Sequence, residues 1–163
     1  MDLAKAARDR WVWAQLALVT LIAVAAPAVP RHINLGAADF MLNRVDPATI
    51  RWWGGALLLA GGLMFGWGIR SLGRNLTPGT EPLAHAELVT TGAYAHVRHP
   101  IYAGAVVLLT GYTLAWSNWT LAFVAGVGAL QFFNAKARRE EAWMLQRFPA
   151  YRAYRLQVPR MVL

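Results

Sequence analysis

From Pro100 to Ala135 the chain runs for 36 residues without a single Asp, Glu, Lys or Arg. A bilayer core is about 30 Å thick and takes roughly 20 apolar residues per helix, so such a run is too long for one ordinary span. It has a natural break at Trp116-Ser117-Asn118-Trp119. The pattern predicts a tight helical hairpin with arms over about 101–116 and 119–135. The first arm is short for a span, which calls for a locally thinned bilayer or flanking side chains that snorkel.

Two further runs have the same character. "WVWAQLALVTLIAVAAPAV", from Trp11 to Val29, is uncharged and close to spanning length. A secretory leader is a competing reading, given the basic residues before it and the small residues at its end. Trp11, Trp13 and Gln15 fit an interfacial anchor better than a leader's uniformly apolar centre. "WWGGALLLAGGLMFGWGI", from Trp52 to Ile69, opens on an interfacial Trp pair and contains Gly62 and Gly66 in GxxxG spacing, a pattern that permits close helix packing. Hydrophobic residues make up 57% of the 163, against 15% charged, so the expected class is an all-α integral membrane protein with four transmembrane helices in a single domain over 1–163.

Lysines and arginines alternate from side to side. The N-terminal tail, the 70–100 loop and the tail from Lys136 onward hold 13 of them, against three in the connection between the first two spans. The positive-inside rule places both termini and the 70–100 loop in the cytoplasm. Topology and anionic headgroups account for much of the net charge of +8, so no nucleic-acid partner is expected. The absence of cysteine excludes disulfides, a thiolate nucleophile and cysteine-based zinc sites. The connection from Pro30 to Ile50 reads as a short loop rich in turn residues, with no evident chemistry.

The polar residues therefore gather on one face of the membrane. The 70–100 loop carries three of the four histidines and ends in Arg98-His99-Pro100; after the last span comes "KARREEAWMLQRFPAYRAYRLQVPR", which has helical composition up to Phe148 and forms the expected amphipathic cytoplasmic helix. Pro100 suits the first helical position, leaving the Ile101 and Tyr102 amides open to a ligand. Arg98 and His99 add donors, and Glu140 and Glu141 add acceptors. Each feature alone also has a plain structural reading: Arg98 snorkelling, His99 capping a helix, the "RREE" run a solvated ion-paired face. His96 and His99 are not read as a metal pair, because no acidic or cysteine ligand adjoins them and a proline-started helix follows.

"ELVTTGAYAHVRHPIYAG", the apolar hairpin and "REEAWMLQRFPAYRAYRLQVPR" together resemble the isoprenylcysteine carboxyl methyltransferase family, itself similar to the phospholipid N-methyltransferases. "LGRNLTP", Leu72 to Pro78, is similar to bacterial members, and the bacterial inner membrane is the location this implies. The likeness covers roughly the last 90 residues. It implies S-adenosylmethionine as cofactor, bound by Leu88, Val89, Tyr94, His99, Pro100, Ile101, Tyr102 and Glu140. It further implies a lipophilic small-molecule or lipid-modified acceptor, with a prenylcysteine-like carboxylate or a phospholipid amine as examples, and no metal. Lys136 stands where the family carries its acceptor-binding arginine, with Arg139 as a second candidate for that role. Glu141 and Arg139 are the candidates for a catalytic part, a base being needed only for a protonated amine or a hydroxyl acceptor. Phe148-Pro149-Ala150-Tyr151 is shorter than the corresponding family pattern. Two other readings stay open on sequence: an NADPH-dependent sterol or ene reductase, and a non-catalytic membrane subunit.

Overall fold

The computed structural model describes residues 9–29, 45–116 and 119–161. Among them are five α-helices and no strand: α1 (Arg10–Ala28), α2 (Pro47–Leu72), α3 (Pro100–Ala115), α4 (Trp119–Arg147) and α5 (Tyr151–Gln157). Short 3-10 turns at Gly73–Asn75 and Gly92–Ala95 punctuate the long loop between α2 and α3. The centre of the expected hairpin turn and most of the 30–50 connection lie outside the described residues.

Helix starts follow local chemistry. Asp46 accepts the Thr49 amide and Pro47 takes the first turn, so α2 begins five residues before the Trp pair, inside the stretch read as a connection up to Ile50. Pro100 likewise opens α3, but the His99 side chain makes no capping bond. Downstream, the expected fourth span and the polar helix after it are one continuous helix, α4. Nothing between Ala135 and Arg147 breaks helical hydrogen bonding until Pro149.

α1 and the stretch Pro47–Asn75 are long and apolar enough to cross a membrane, and α3 is a shorter apolar helix of 16 residues, about 24 Å at a rise of 1.5 Å per residue. Large apolar side chains on α1 and α2 point outward; Leu21, Leu59 and Leu63 are each about two-thirds exposed. Contiguous exposed apolar surface of this kind is what a lipid-facing helix presents. The interior is correspondingly small: Ile22, Val106, Leu109, Ala125, Ala129 and Phe133 form its centre, between α1, α3 and α4. Thr110 and Thr113 donate back to carbonyls of their own helix, which satisfies their hydroxyls without water.

α2 and α3 pack antiparallel along a glycine seam. Gly54, Gly61 and Gly68 recur every seven residues on α2, and Gly104 and Gly111 face them from α3. A Cβ on Gly61 would lie 2.4 Å from the Leu108 nitrogen, and one on Gly104 would lie 2.5 Å from the Phe65 nitrogen. The GxxxG pair Gly62 and Gly66 has nothing within 4 Å, so the seam runs on a different face from the one that spacing indicated. The heptad repeat wins because α3 offers glycine at the same seven-residue interval. Gly68 backs onto Ile101, whose amide nitrogen would be 3.0 Å from an added Cβ, so that amide is packed on α2 rather than left open.

A Gly61→Ala substitution should therefore cost about 1–3 kcal/mol through overpacking, whereas Gly62→Ala should leave stability unchanged or slightly higher. Thermal unfolding of the two variants in the same detergent distinguishes them.

Candidate functional site

Phe133, Lys136, Glu140, Met144 and Phe148 follow one another at steps of three and four, which aligns them along one side of α4 and its immediate continuation. All five line a cavity of about 430 Å³, with Phe65, Ile69 and Leu72 of α2 and Ala105 of α3 as its apolar walls. The volume falls in the range of about 300–1,000 Å³ occupied by small-molecule sites.

Of the residues expected at a cofactor, Leu88, Val89, Tyr94, His99, Ile101, Tyr102 and Glu140 all line this cavity. Pro100 does not: it is fully buried at the start of α3 and sets the helix there. Lys136 lines the cavity and is 2% exposed, while Arg139 is exposed and outside the lining. Arg98 is also a lining residue. The two adjacent glutamates part company, because one residue step turns a helix by about 100°.

Glu140 faces the cavity. The Tyr102 hydroxyl donates to its Oε1, and His99 Nδ1 lies 3.7 Å from its Oε2. Burial raises the Glu140 carboxyl above its ordinary range, partly opposed by His99, by the Tyr102 hydroxyl and by Lys136. Tyr102 is itself engaged, stacked on His99 at 5.4 Å and on Phe133 at 4.9 Å between ring centroids, with Lys136 Nζ 5.3 Å from its centroid.

Glu141 turns away from the cavity into a cluster of basic groups. Its Oε1 lies 3.0 Å from Arg98 Nη1 and 3.3 Å from His99 Nε2, and Arg160 donates to both oxygens at 2.9 and 2.8 Å. Burial alone would raise this carboxyl, but the bonds from His99 and Arg160 and the charge of Arg98 outweigh it and hold it down at about 2. The same cluster is reinforced through the backbone: the Arg98 amide donates to the Pro159 carbonyl at 2.9 Å and the His99 amide to the Arg160 carbonyl at 3.0 Å. Tyr154 donates to the Tyr94 carbonyl at 2.6 Å. The C-terminal segment is thus bonded at both ends of the Tyr94–His99 loop, a part for Arg160 that the motifs did not assign.

Three more polar residues at the site were not singled out by the motifs. Gln15 of α1 accepts from Lys136 Nζ at 2.6 Å, Lys136 also donates to the Pro78 carbonyl at 2.9 Å, and Thr80 bonds Asp9. Gln15 carried the only available signal, a lone amide in an otherwise apolar run. His96 sits beside Trp67, at 5.6 Å between rings, while His99 is engaged by Tyr102 and the glutamates. Among the described residues no cluster of three His, Asp or Glu forms a metal-binding group.

The profile of the phospholipid methyltransferase family matches residues 49–150, well over half of the chain. The chain belongs to that family. It is also similar to the protein-S-isoprenylcysteine O-methyltransferase of Schizosaccharomyces pombe, with 34% identity over 73 residues. That alignment covers 44% of this chain and 31% of the relative, so the chain spans about a third of that protein's length. The family match takes in nearly all of α2, the whole of α3 and α4, and the loop carrying Tyr94, Arg98 and His99, and leaves α1 and the Arg160 strap outside.

Replacing Glu141 by Gln removes the shared counter-charge of Arg98 and Arg160 and should cost about 3–5 kcal/mol. The pH dependence has a definite sign. With a folded value of about 2 against an ordinary 4.5, Glu141 contributes its stabilisation in full above about pH 4.5 and loses it as pH falls toward 2. The full contribution is about 3 kcal/mol. Unfolding midpoints of wild type should fall across that window, and those of Glu141→Gln should fall much less.

Proposed function

We propose that this protein is a four-span membrane methyltransferase of a bacterial inner membrane, both termini cytoplasmic, moving a methyl group from S-adenosylmethionine to a lipophilic acceptor. The carrying observation is the composition of the cavity. One side presents Arg98, His99, Tyr94 and Glu140, and the other the apolar side chains of α2 and α3. A polar, zwitterionic donor and an oily acceptor both find matching surface there.

The donor set fits S-adenosylmethionine by chemistry. Arg98 and His99 suit a carboxylate, and Glu140 suits an ammonium or ribose hydroxyls. The face of Tyr94 suits a sulfonium cation, Tyr102 being already stacked. Leu88, Val89 and Ile101 supply apolar contact. S-adenosylmethionine would bring an electrophilic methyl group, so the protein needs to orient two reactants and keep water out rather than to furnish a powerful base. The apolar wall excludes water, and the Tyr102–Glu140 and His99–Glu141 contacts hold the polar wall in place. Lys136 sits on the cavity wall, where an anionic or polar acceptor headgroup would meet it. A point-charge ammonium lacks the bidentate fork of an arginine, so a carboxylate acceptor would be held less specifically than by the arginine expected at that position.

Calorimetry of the purified, folded protein with S-adenosylmethionine should show one site per chain. Glu140→Ala should weaken it about tenfold or more, the scale of losing bonds to a charged group. A folded wild-type protein that binds no S-adenosylmethionine overturns this reading. Transfer of labelled methyl from the donor to membrane lipid extracts, and in parallel to prenylcysteine analogues, identifies the acceptor.

A further inference from the structure

α1 contributes little to the packed interior, since Ile22 and Ala26 are its only buried residues. Its N-terminal end nevertheless holds part of the cavity wall. Asp9 Oδ2 accepts from the Thr80 amide at 2.7 Å and from the Thr80 hydroxyl at 2.9 Å, while Oδ1 accepts from the Trp11 amide at 2.9 Å. One carboxylate thus caps α1 and grips the loop. Two turns further, Gln15 takes one bond from Lys136, and Lys136 passes another to the Pro78 carbonyl. Lys136 and Thr80 are 2% and 5% exposed, so these bonds are sheltered from competing water.

What they hold is a stretch with no helix or strand of its own. Residues 76–91 have neither, and Pro78, Gly79 and Thr80 all line the cavity. Backbone ladders do not fix such a segment, so side-chain bonds from outside it decide where it lies. Asp9 and Gln15 both precede residues 49–150, so the family match gives them no role.

We propose that Asp9 and Gln15 are positioning residues. With Lys136 they form a clamp by which the N-terminal helix sets the Pro78–Thr80 segment against the cavity and fixes the shape of its wall around the bound methyl donor. The inference rests on the cavity being the donor site, yet the clamp has its own readout. Because α1 packs sparsely, loss of the clamp frees the segment without dismantling α2, α3 and α4.

The test uses the full chain in nanodiscs, with hydrogen exchange followed by mass spectrometry beside calorimetry with S-adenosylmethionine. Asp9→Ala and Gln15→Leu should each raise amide exchange across 78–82 about tenfold, with exchange in α3 and α4 unchanged. Each should weaken donor binding by a similar factor, in line with losing a hydrogen bond to a charged group. Thr80→Val should reproduce part of the Asp9→Ala effect, Thr80→Ser should restore wild-type behaviour, and Asp9→Ala with Thr80→Val should be no worse than Asp9→Ala alone. Unchanged exchange at 78–82 overturns the clamp, and so does a rise spread equally over α3 and α4. If wild type binds no donor, the functional reading fails, and the exchange data alone then decide the clamp.

Discussion

The site depends on one buried carboxylate. Glu141 draws Arg98, His99 and Arg160 to a single point, and those residues belong to the loop before α3 and to the C-terminal strap. Three potentially charged groups around one acid would repel one another without it, and the acid would be costly to bury without them. The two backbone bonds from Arg98 and His99 to the strap lie in the same place, so ion pairing and backbone pairing reinforce one another. Arg98 and His99, which line the cavity from the end of the loop, are positioned through this cluster.

The glycine seam between α2 and α3 plays the corresponding part between the apolar helices. Lipid tails are as apolar as leucine, so helices gain little by hiding apolar side chains from lipid and associate through close packing instead. Backbone contact at Gly61 and Gly104 brings α2 onto the start of α3, with Gly68 against Ile101. That contact is why Phe65 and Ile69 reach the same cavity as His99 and Tyr102. A short α3, opened by Pro100, keeps the cavity at the end of a helix, where polar loop and apolar wall adjoin.

Much of this was legible in the residues. Long uncharged runs leave the chain few folds other than membrane helices, and Pro100, Asp46 and Pro149 mark helix boundaries by their own chemistry. The Arg98-His99-Pro100 and Glu140-Glu141 motifs pointed to one site, and the structure brings them within ion-pair distance across about 40 residues of chain. The resemblance already separated the pair, with Glu140 as a cofactor contact and Glu141 as a candidate for a catalytic part, but the partners of Glu141 were not legible. Only the orientation of α4 sends Glu140 to the cavity and Glu141 to the basic cluster. Gln15 and Asp9 were less visible still, since their partners, Lys136 and Thr80, are more than 70 residues away.

Composition and spacing by themselves determined the helical class, the apolar segments and the family motifs, because these depend on hydrophobicity and on neighbours along the chain. The tertiary structure decided which glycines touch, which acid faces the cavity and what α1 holds. Those are matters of helix rotation and of contacts between distant segments. A linear pattern of residues does not encode them until packing has chosen the faces.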